Sequence, residues 1–358
     1  MRVTIRTDSS VKIGTGHVMR CLTLANILRM QGADVEFICK RHTGSLIPYI
    51  QKLKYNVHIL KNVQFKDLDT YGSLFHSRLL GGTQKNDAKQ CLSILKNTKP
   101  DLLIVDHYAI DQEWEKILKS TYKNLLVIDD LGDRSHVCDF LLDQNYGSTV
   151  KKYQALVPKK CLILLGPNYA LLRPEFSKYR EYSLGRRKNN KAKRILITFG
   201  GIDPDNYTGR VLKIFKKIQM PDYVNITVIM SSMSPFLKES QDLAKTMHIK
   251  TEVKVDVSNM AEIMMNSDIA IGAAGSTAWE RCCLGLPTIQ MVIAKNQEYV
   301  SRSLVQVGAV RLLERLDQIP YFIKNVNEWM LEVGEVASQV CDGLGANKVV
   351  KILTTFQK

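Results

Sequence analysis

A chain of 358 residues, 45% hydrophobic and 24% charged with ordinary glycine and proline contents, carries apolar material for two cores, which excludes a fibrous or disordered polymer. Its formal charge of +15, from 50 Lys plus Arg against 35 Asp plus Glu, favours anionic partners without choosing among a nucleotide-linked substrate, nucleic acid and an anionic membrane surface. No stretch approaches the apolar length that spans a bilayer and "MRVTIRTDSS" lacks the apolar segment of a secretory signal, so the expectation is a cytoplasmic protein with no stable membrane insertion.

Residues 3–8, "VTIRTD", are β-branched and read as a strand. The turn "SSVKIGTGH" follows, then a helix whose apolar positions Val18, Cys21, Leu22, Ala25 and Leu28 keep helical spacing, with Gly32 as its cap. "GADVEFIC" is the next strand, giving a β-α-β opening. Gly14 and Gly16 permit a tight turn and a close backbone approach, so His17 is expected at or just before the first helical turn, at the mouth of the sheet. The positive end of the helix disfavours a second positive charge there, leaving an imidazole able to take a proton from water. A capping histidine with no chemistry fits the same spacing. A dinucleotide fingerprint would need glycine at position 19, which is Met19; this argues against a nicotinamide enzyme.

"GSLIPYIQKL" (44–53) reads as a helix packed on the sheet, and "DLLIVD" (101–106) and "NLLVIDD" (124–130) as strands ending in acids. Asp106 and Asp129 terminate these strands, where they either shape a site or cap the next helix. Strands alternating with helices imply a parallel sheet covered on both faces. "YREYSLGRRKNNKAKR" (179–194) loses periodicity and looks like a linker. The pattern then restarts with the strands "RILITFGG" (194–201), "NITVIMSS" (225–232) and "SDIAIGAAGS" (267–276). The expected architecture is α/β, with a domain over 1–185, a basic linker over 186–193 and a second domain over 194–358. Two such sheets facing each other would make a cleft.

In the second half, "FGGIDPDN" (199–206) sets Gly200 and Gly201 after a strand, with Asp203-Pro204 as an N-cap followed by proline at the first helical position. Exposed backbone N–H groups beside a helix start suit a phosphate, although glycine pairs after strands are often only tight turns. "GAAGSTAWERCCLGLPTI" (272–289) repeats the design: Gly275 allows close approach, and Ser276 and Thr277 can cap the helix or touch phosphate oxygens. Glu280 completes a capping box with Thr277 or accepts hydrogen bonds from both hydroxyls of a ribose. One carboxylate cannot do both. Lys295, Asn296 and Gln297 form a polar triplet at the end of a further strand, facing the cleft or lying in a surface loop.

Taken jointly, "RTDSSVKIGTGHVMRCLTLA", "IVDHYAID", "YALLRPEF", "FGGIDPDN", "GSTAWERCCLGLP" and "KNQE" resemble the PseG family, the UDP-sugar hydrolase of pseudaminic acid biosynthesis. The resemblance runs from residue 2 to "CDGLGANKV", loosest across the basic linker. It implies two Rossmann-like domains facing a cleft, the GT-B architecture of the lipid-II-forming glycosyltransferase. It further implies hydrolysis of UDP-2,4-diacetamido-2,4,6-trideoxy-β-L-altropyranose to UDP and the free sugar, inverting and with no metal or cofactor. By the same resemblance His17 falls on the catalytic base, Tyr108 and Asn296 on residues near the sugar and water, and Glu280 on a nucleotide-binding glutamate, which favours ribose binding there. Gly14, Gly16, Gly200, Gly201, Gly275, Ser276, Thr277 and Gln297 complete the expected substrate-binding set.

A GT-B glycosyltransferase passing a UDP-linked sugar to an acceptor shares these features; with a membrane acceptor it should expose an apolar and basic patch, for which 44–53 is the one candidate stretch. A nucleic-acid binder lacks support, because the basic stretch interleaves only Tyr179 and Tyr182. The protein is expected to act as a monomer on its UDP-sugar, without nucleic acid. Cysteines at 21, 39, 91, 138, 161, 282, 283 and 341 show no metal-ligand spacing and read as reduced, mostly buried thiols. His42, His58, His76, His136 and His248 are isolated and read as surface or satisfied core groups.

Overall fold

The apolar runs of the amino-terminal half pair side by side in the computed structural model, which describes residues 1–61, 74, 76–188 and 191–356. Strands β1 (Arg2–Thr7), β2 (Asp34–Lys40), β3 (Asn56–Leu60), β4 (Leu102–Asp106), β5 (Asn124–Ile128), β6 (Phe140–Asp143) and β7 (Leu162–Leu165) form a parallel sheet ordered β3-β2-β1-β4-β5-β6-β7. The helix Gly16–Met30 covers one face, burying the predicted Val18, Cys21, Leu22, Ala25 and Leu28 against Val3, Ile5 and Ile104. Leu95, Trp114 and Leu118 cover the other against Leu103, Val105 and Val127. Each such buried aliphatic side chain contributes about 1.5–3 kcal/mol. The strand order reverses between β1 and β4, and Thr7 pairs with Asp106, so the loops leaving both strands open at one crevice.

The second half repeats the plan. Strands β8 (Arg194–Thr198), β9 (Asn225–Met230), β10 (Lys250–Val255), β11 (Ile269–Ala273), β12 (Thr288–Met291) and β13 (Arg311–Leu312) form a parallel sheet ordered β10-β9-β8-β11-β12-β13, again reversing at its first strand. Gly272 of β11 pairs with Thr198 of β8. A Cβ at Gly272 would lie 2.3 Å from the Thr198 carbonyl oxygen. Gly272→Ala is therefore expected to destabilise this unit by about 1–3 kcal/mol, read as a lower denaturant midpoint at unchanged slope.

The chain divides into Met1–Leu171 with Gly345–Lys358, and Leu172–Leu344, which differs from the boundaries expected at 185, 193 and 358. Two helices account for the difference. The helix Pro174–Arg187 packs with the second unit through its arginines: Arg180 donates to the carbonyls of Ser338 (2.7 Å) and Cys341 (3.2 Å), and buried Arg187 to those of Met264 (2.7 Å) and Ser267 (2.8 Å). The basic residues read as a solvated linker are largely anchors. The closing helix Gly345–Thr355 buries Ala346, Val349, Val350 and Leu353 in the same core as the helix Gly16–Met30 and so belongs to the first unit. Gly345 is required there, because a Cβ would lie 2.5 Å from the backbone of Ala170.

Seven of the eight cysteines are buried and Cys161 is half-buried; no disulfide joins any of them among the described residues. No helix among those residues is long and apolar enough to cross a membrane.

Candidate active site

The turn after β1 is built by its own side chains. The Ser10 hydroxyl accepts from the N–H groups of Lys12 (3.1 Å) and Ile13 (2.9 Å), and the Gly14 N–H donates to the Ser10 carbonyl (2.8 Å). Gly14 closes the turn at φ 80°, in the left-handed region. Thr15 is the N-cap and the helix begins at Gly16, so His17 occupies its second position.

His17 and Arg20 lie three residues apart on one helix face, and both reach the end of β4. His17 Nδ1 is 2.5 Å from Asp106 Oδ1, while Arg20 donates through Nε to Oδ2 (2.6 Å) and through Nη2 to Oδ1 (2.7 Å) of the same carboxylate. The third nitrogen, Nη1, donates to Asp130 Oδ2 (3.0 Å) just beyond β5. Burial alone would raise the pKa of Asp106, but Arg20 and His17 hold it well below the usual carboxylate range. An ionised Asp106 accepts the Nδ1 proton, which fixes the tautomer and leaves the Nε2 lone pair for other use. Among the described residues Nε2 has no hydrogen-bond partner, and His17 as a whole is 7% exposed. The Tyr108 ring meets His17 edge-on at 4.5 Å between centroids. Burial, and then the neighbouring Asp130 carboxylate, push the Tyr108 phenol well above its ordinary pKa, so it remains a donor.

Beneath this layer the end of β1 is held by buried charges. Arg6 grips Asp8 (2.6 and 2.9 Å) and Asp87 (3.2 and 2.8 Å), and Trp114 donates to Asp87 (3.0 Å). His107, between Asp106 and Tyr108 in sequence, accepts from the Ala109 N–H through Nδ1 (3.0 Å) and turns Nε2 toward Asp8 at 3.3 Å. Burial lowers the His107 pKa, with Asp8 opposing. The two strand ends that carry the site are thus tied to one internal anchor.

In the second unit Gly200 (φ 90°) and exposed Gly201 leave β8. The following helix begins at Tyr207 rather than at Pro204, with Asn206 as N-cap. Asp203 still serves it, accepting from the N–H groups of Tyr207 (3.0 Å) and Thr208 (2.7 Å), because its left-handed backbone (φ 44°) folds the carboxylate back over the helix start. After β11, Gly275 and exposed Ser276 precede the helix Thr277–Cys283. The capping box is absent. Ser276 is the N-cap and makes no side-chain cap bond, and the Thr277 hydroxyl accepts from Arg281 (3.1 Å). The half-buried Glu280 carboxylate has no hydrogen-bond partner among the described residues. Burial first and Glu175 second push its pKa up to about 7, against Arg173 and Arg281. After β12, Lys295, Asn296 and Gln297 form a 3-10 turn. The Gln297 side-chain amide reaches within 3.8 Å of where a Gly275 Cβ would stand.

Comparison with known proteins places this arrangement. No protein-family model matches the chain. Over 309 residues the chain is 31% identical to the UDP-2,4-diacetamido-2,4,6-trideoxy-β-L-altropyranose hydrolase of Campylobacter jejuni, covering 86% of this chain and 97% of that protein. The chain belongs to this UDP-sugar hydrolase family. It is also 30% identical over 301 residues to an uncharacterized protein of Methanocaldococcus jannaschii, covering 83% of this chain but spanning only 56% of that protein. The crystal structure of Acinetobacter baumannii MurG aligns over 99% of both chains at a TM-score of 0.71 with 15% identity, which shows the shared GT-B fold.

For this family member the structure brings His17 and Tyr108 together in the first unit, with Gly14 in the turn before His17 and Gly16 as the first residue of its helix. Gly200, Gly201, Gly275, Ser276, Thr277, Glu280, Asn296 and Gln297 all lie at the carboxyl ends of the second sheet's strands. Arg20 and Asp130 escaped sequence reasoning. The spacing of Arg20 from His17 was the available signal for the first, and the second carboxylate of "IDD" for the other.

Proposed function

We propose that the protein hydrolyses UDP-2,4-diacetamido-2,4,6-trideoxy-β-L-altropyranose to UDP and the free sugar with inversion. Water attacks the anomeric carbon, its proton passes to His17 Nε2, and the bond from that carbon to the β-phosphate oxygen breaks with its electron pair leaving on UDP. UDP is a good leaving group, so one base suffices where a glycosidase needs two carboxyl groups. In-line attack requires the base and the diphosphate donors on opposite faces of the sugar. The observation that carries the reading is the His17–Asp106 contact of 2.5 Å, which commits Nδ1 and leaves Nε2 for water. Tyr108 and Asn296 are assigned to the sugar and water, Glu280 with Gln297 to the nucleoside, and the backbone at Gly200–Gly201 and Gly275–Thr277 to the diphosphate.

The transferase alternative gains no support from 44–53, where Ile47 and Ile50 are buried and Leu46 and Leu53 pack on the core. Incubation with the altrose-configured UDP-sugar in 18O-labelled water, without acceptor, is expected to release UDP and place the label on the sugar's anomeric hydroxyl. UDP release that waits for an added acceptor would assign a transferase instead.

A further inference from the structure

The contacts of one guanidinium reach both the proposed base and the carboxylate that holds it. Arg20 binds both oxygens of Asp106 (2.6 and 2.7 Å), binds Asp130 (3.0 Å) and lies 3.2 Å from His17 Nδ1. Asp106 holds the imidazole. Arg20 is 8% exposed, and each of its three nitrogens donates to one of the two carboxylates. Such a planar fork fixes two carboxylates at a set angle, which an ammonium, a point charge on a flexible stem, cannot do.

We infer that Arg20 is a positioning residue for the hydrolysis, setting the His17 ring through Asp106. The inference rests on the proposed hydrolase reading for its kinetic consequence, and on geometry alone for its structural one. Without the fork, Asp106 keeps its acceptor oxygens but loses the two bonds that hold its plane. His17 then follows the carboxylate. The three-residue step from His17 to Arg20 makes the clamp a property of a single helical turn, so base and clamp move as one body.

The test is Arg20→Lys, which keeps a positive charge and removes the fork. In the resting protein, ring-proton and 15N NMR of His17 is expected to show a hydrogen-bonded Nδ1 proton in the wild type, and its loss or displacement in Arg20→Lys. With the UDP-sugar, kcat is expected to fall about 10- to 100-fold from misplacement of the base, with KM changed by less than about threefold because nucleotide binding is untouched. Should Arg20→Lys not fold, Asp130→Asn, which weakens the 3.0 Å anchor of Arg20 Nη1, serves in its place, with a smaller displacement of the His17 Nδ1 signal expected and an unchanged signal overturning the inference. An unchanged His17 signal in folded Arg20→Lys overturns the inference, as does a displaced signal with full kcat. A wild type that hydrolyses nothing overturns the hydrolase reading, and the NMR comparison still decides the placement by Arg20.

Discussion

Asp106→Asn is expected to cost nearly as much turnover as His17→Ala, on the order of 10³–10⁴-fold in kcat. The carboxylate receives four donors: His17 Nδ1 and Arg20 Nη2 on Oδ1, and Arg20 Nε with the weaker Cys21 thiol (3.6 Å) on Oδ2. An asparagine offers one oxygen and one NH2 group to that set. With its oxygen toward His17, the amide confronts the Arg20 Nε–H donor and the plane must turn away. With its oxygen toward Arg20 Nε, the NH2 donates to His17 Nδ1 and drives the ring proton to Nε2, which removes the lone pair that takes the proton of water. Either orientation disables the base while its ring remains. The double variant His17→Ala/Asp106→Asn should therefore lose no more than either single change, since the two act as a unit. UDP affinity should stay within about twofold, because the groups assigned to UDP belong to the other unit. Stopped assays of UDP release with titration of UDP binding check all three; an Asp106→Asn protein within about threefold of wild-type kcat would leave the carboxylate without this role.

The parts of this site that were legible in the sequence are those whose geometry is set locally. Gly14 at positive φ, the strand before it and the apolar spacing after it place His17 on a helix start without reference to the rest of the chain. The same holds for Gly200 after β8 and for the small residues before the helix Thr277–Cys283. What stayed hidden depends on pairing across long separations. Asp106, 86 residues from Arg20, reads as a strand terminator until β1 and β4 are known to be neighbours. Charge alone also misled: arginines 180, 186 and 187 look like a solvated linker, yet they cap carbonyls and Asp268 in the second unit. The closing helix carried a clear amphipathic pattern, but nothing in the pattern says which of two cores it joins. A neighbour at Ala170 decides that.

Uridine and UDP are expected to bind more tightly at pH 8 than at pH 6, and Glu280→Gln is expected to flatten that dependence. The Glu280 carboxylate is half-buried without a hydrogen-bond partner among the described residues, and its pKa stands at about 7, raised first by burial and then by Glu175. Two ribose hydroxyls donating together are met best by an ionised carboxylate, whose two oxygens both accept and whose hydrogen bonds are the stronger for its charge. Below its pKa the group is protonated and keeps one good acceptor oxygen without the charge, so affinity should fall, by at most about tenfold per pH unit under 7. Uridine, which lacks the titrating phosphate, isolates this effect from the ligand's own ionisation. The stability sign is the reverse: with a folded pKa above the unfolded carboxylate value, the increment contributed by Glu280 is fully present below about pH 4.3 and is lost as pH rises through 7. Glu280→Gln removes the buried charge, so at pH 8 it should weaken uridine by about 10- to 100-fold while raising the melting temperature. That opposed pair of shifts marks a carboxylate held ready for a ligand, whereas a carboxylate serving only the fold would lose stability on substitution. Calorimetric titration and thermal melts at both pH values read both signs, and uridine binding that is flat from pH 6 to 8 in the wild type would remove Glu280 from the nucleoside site.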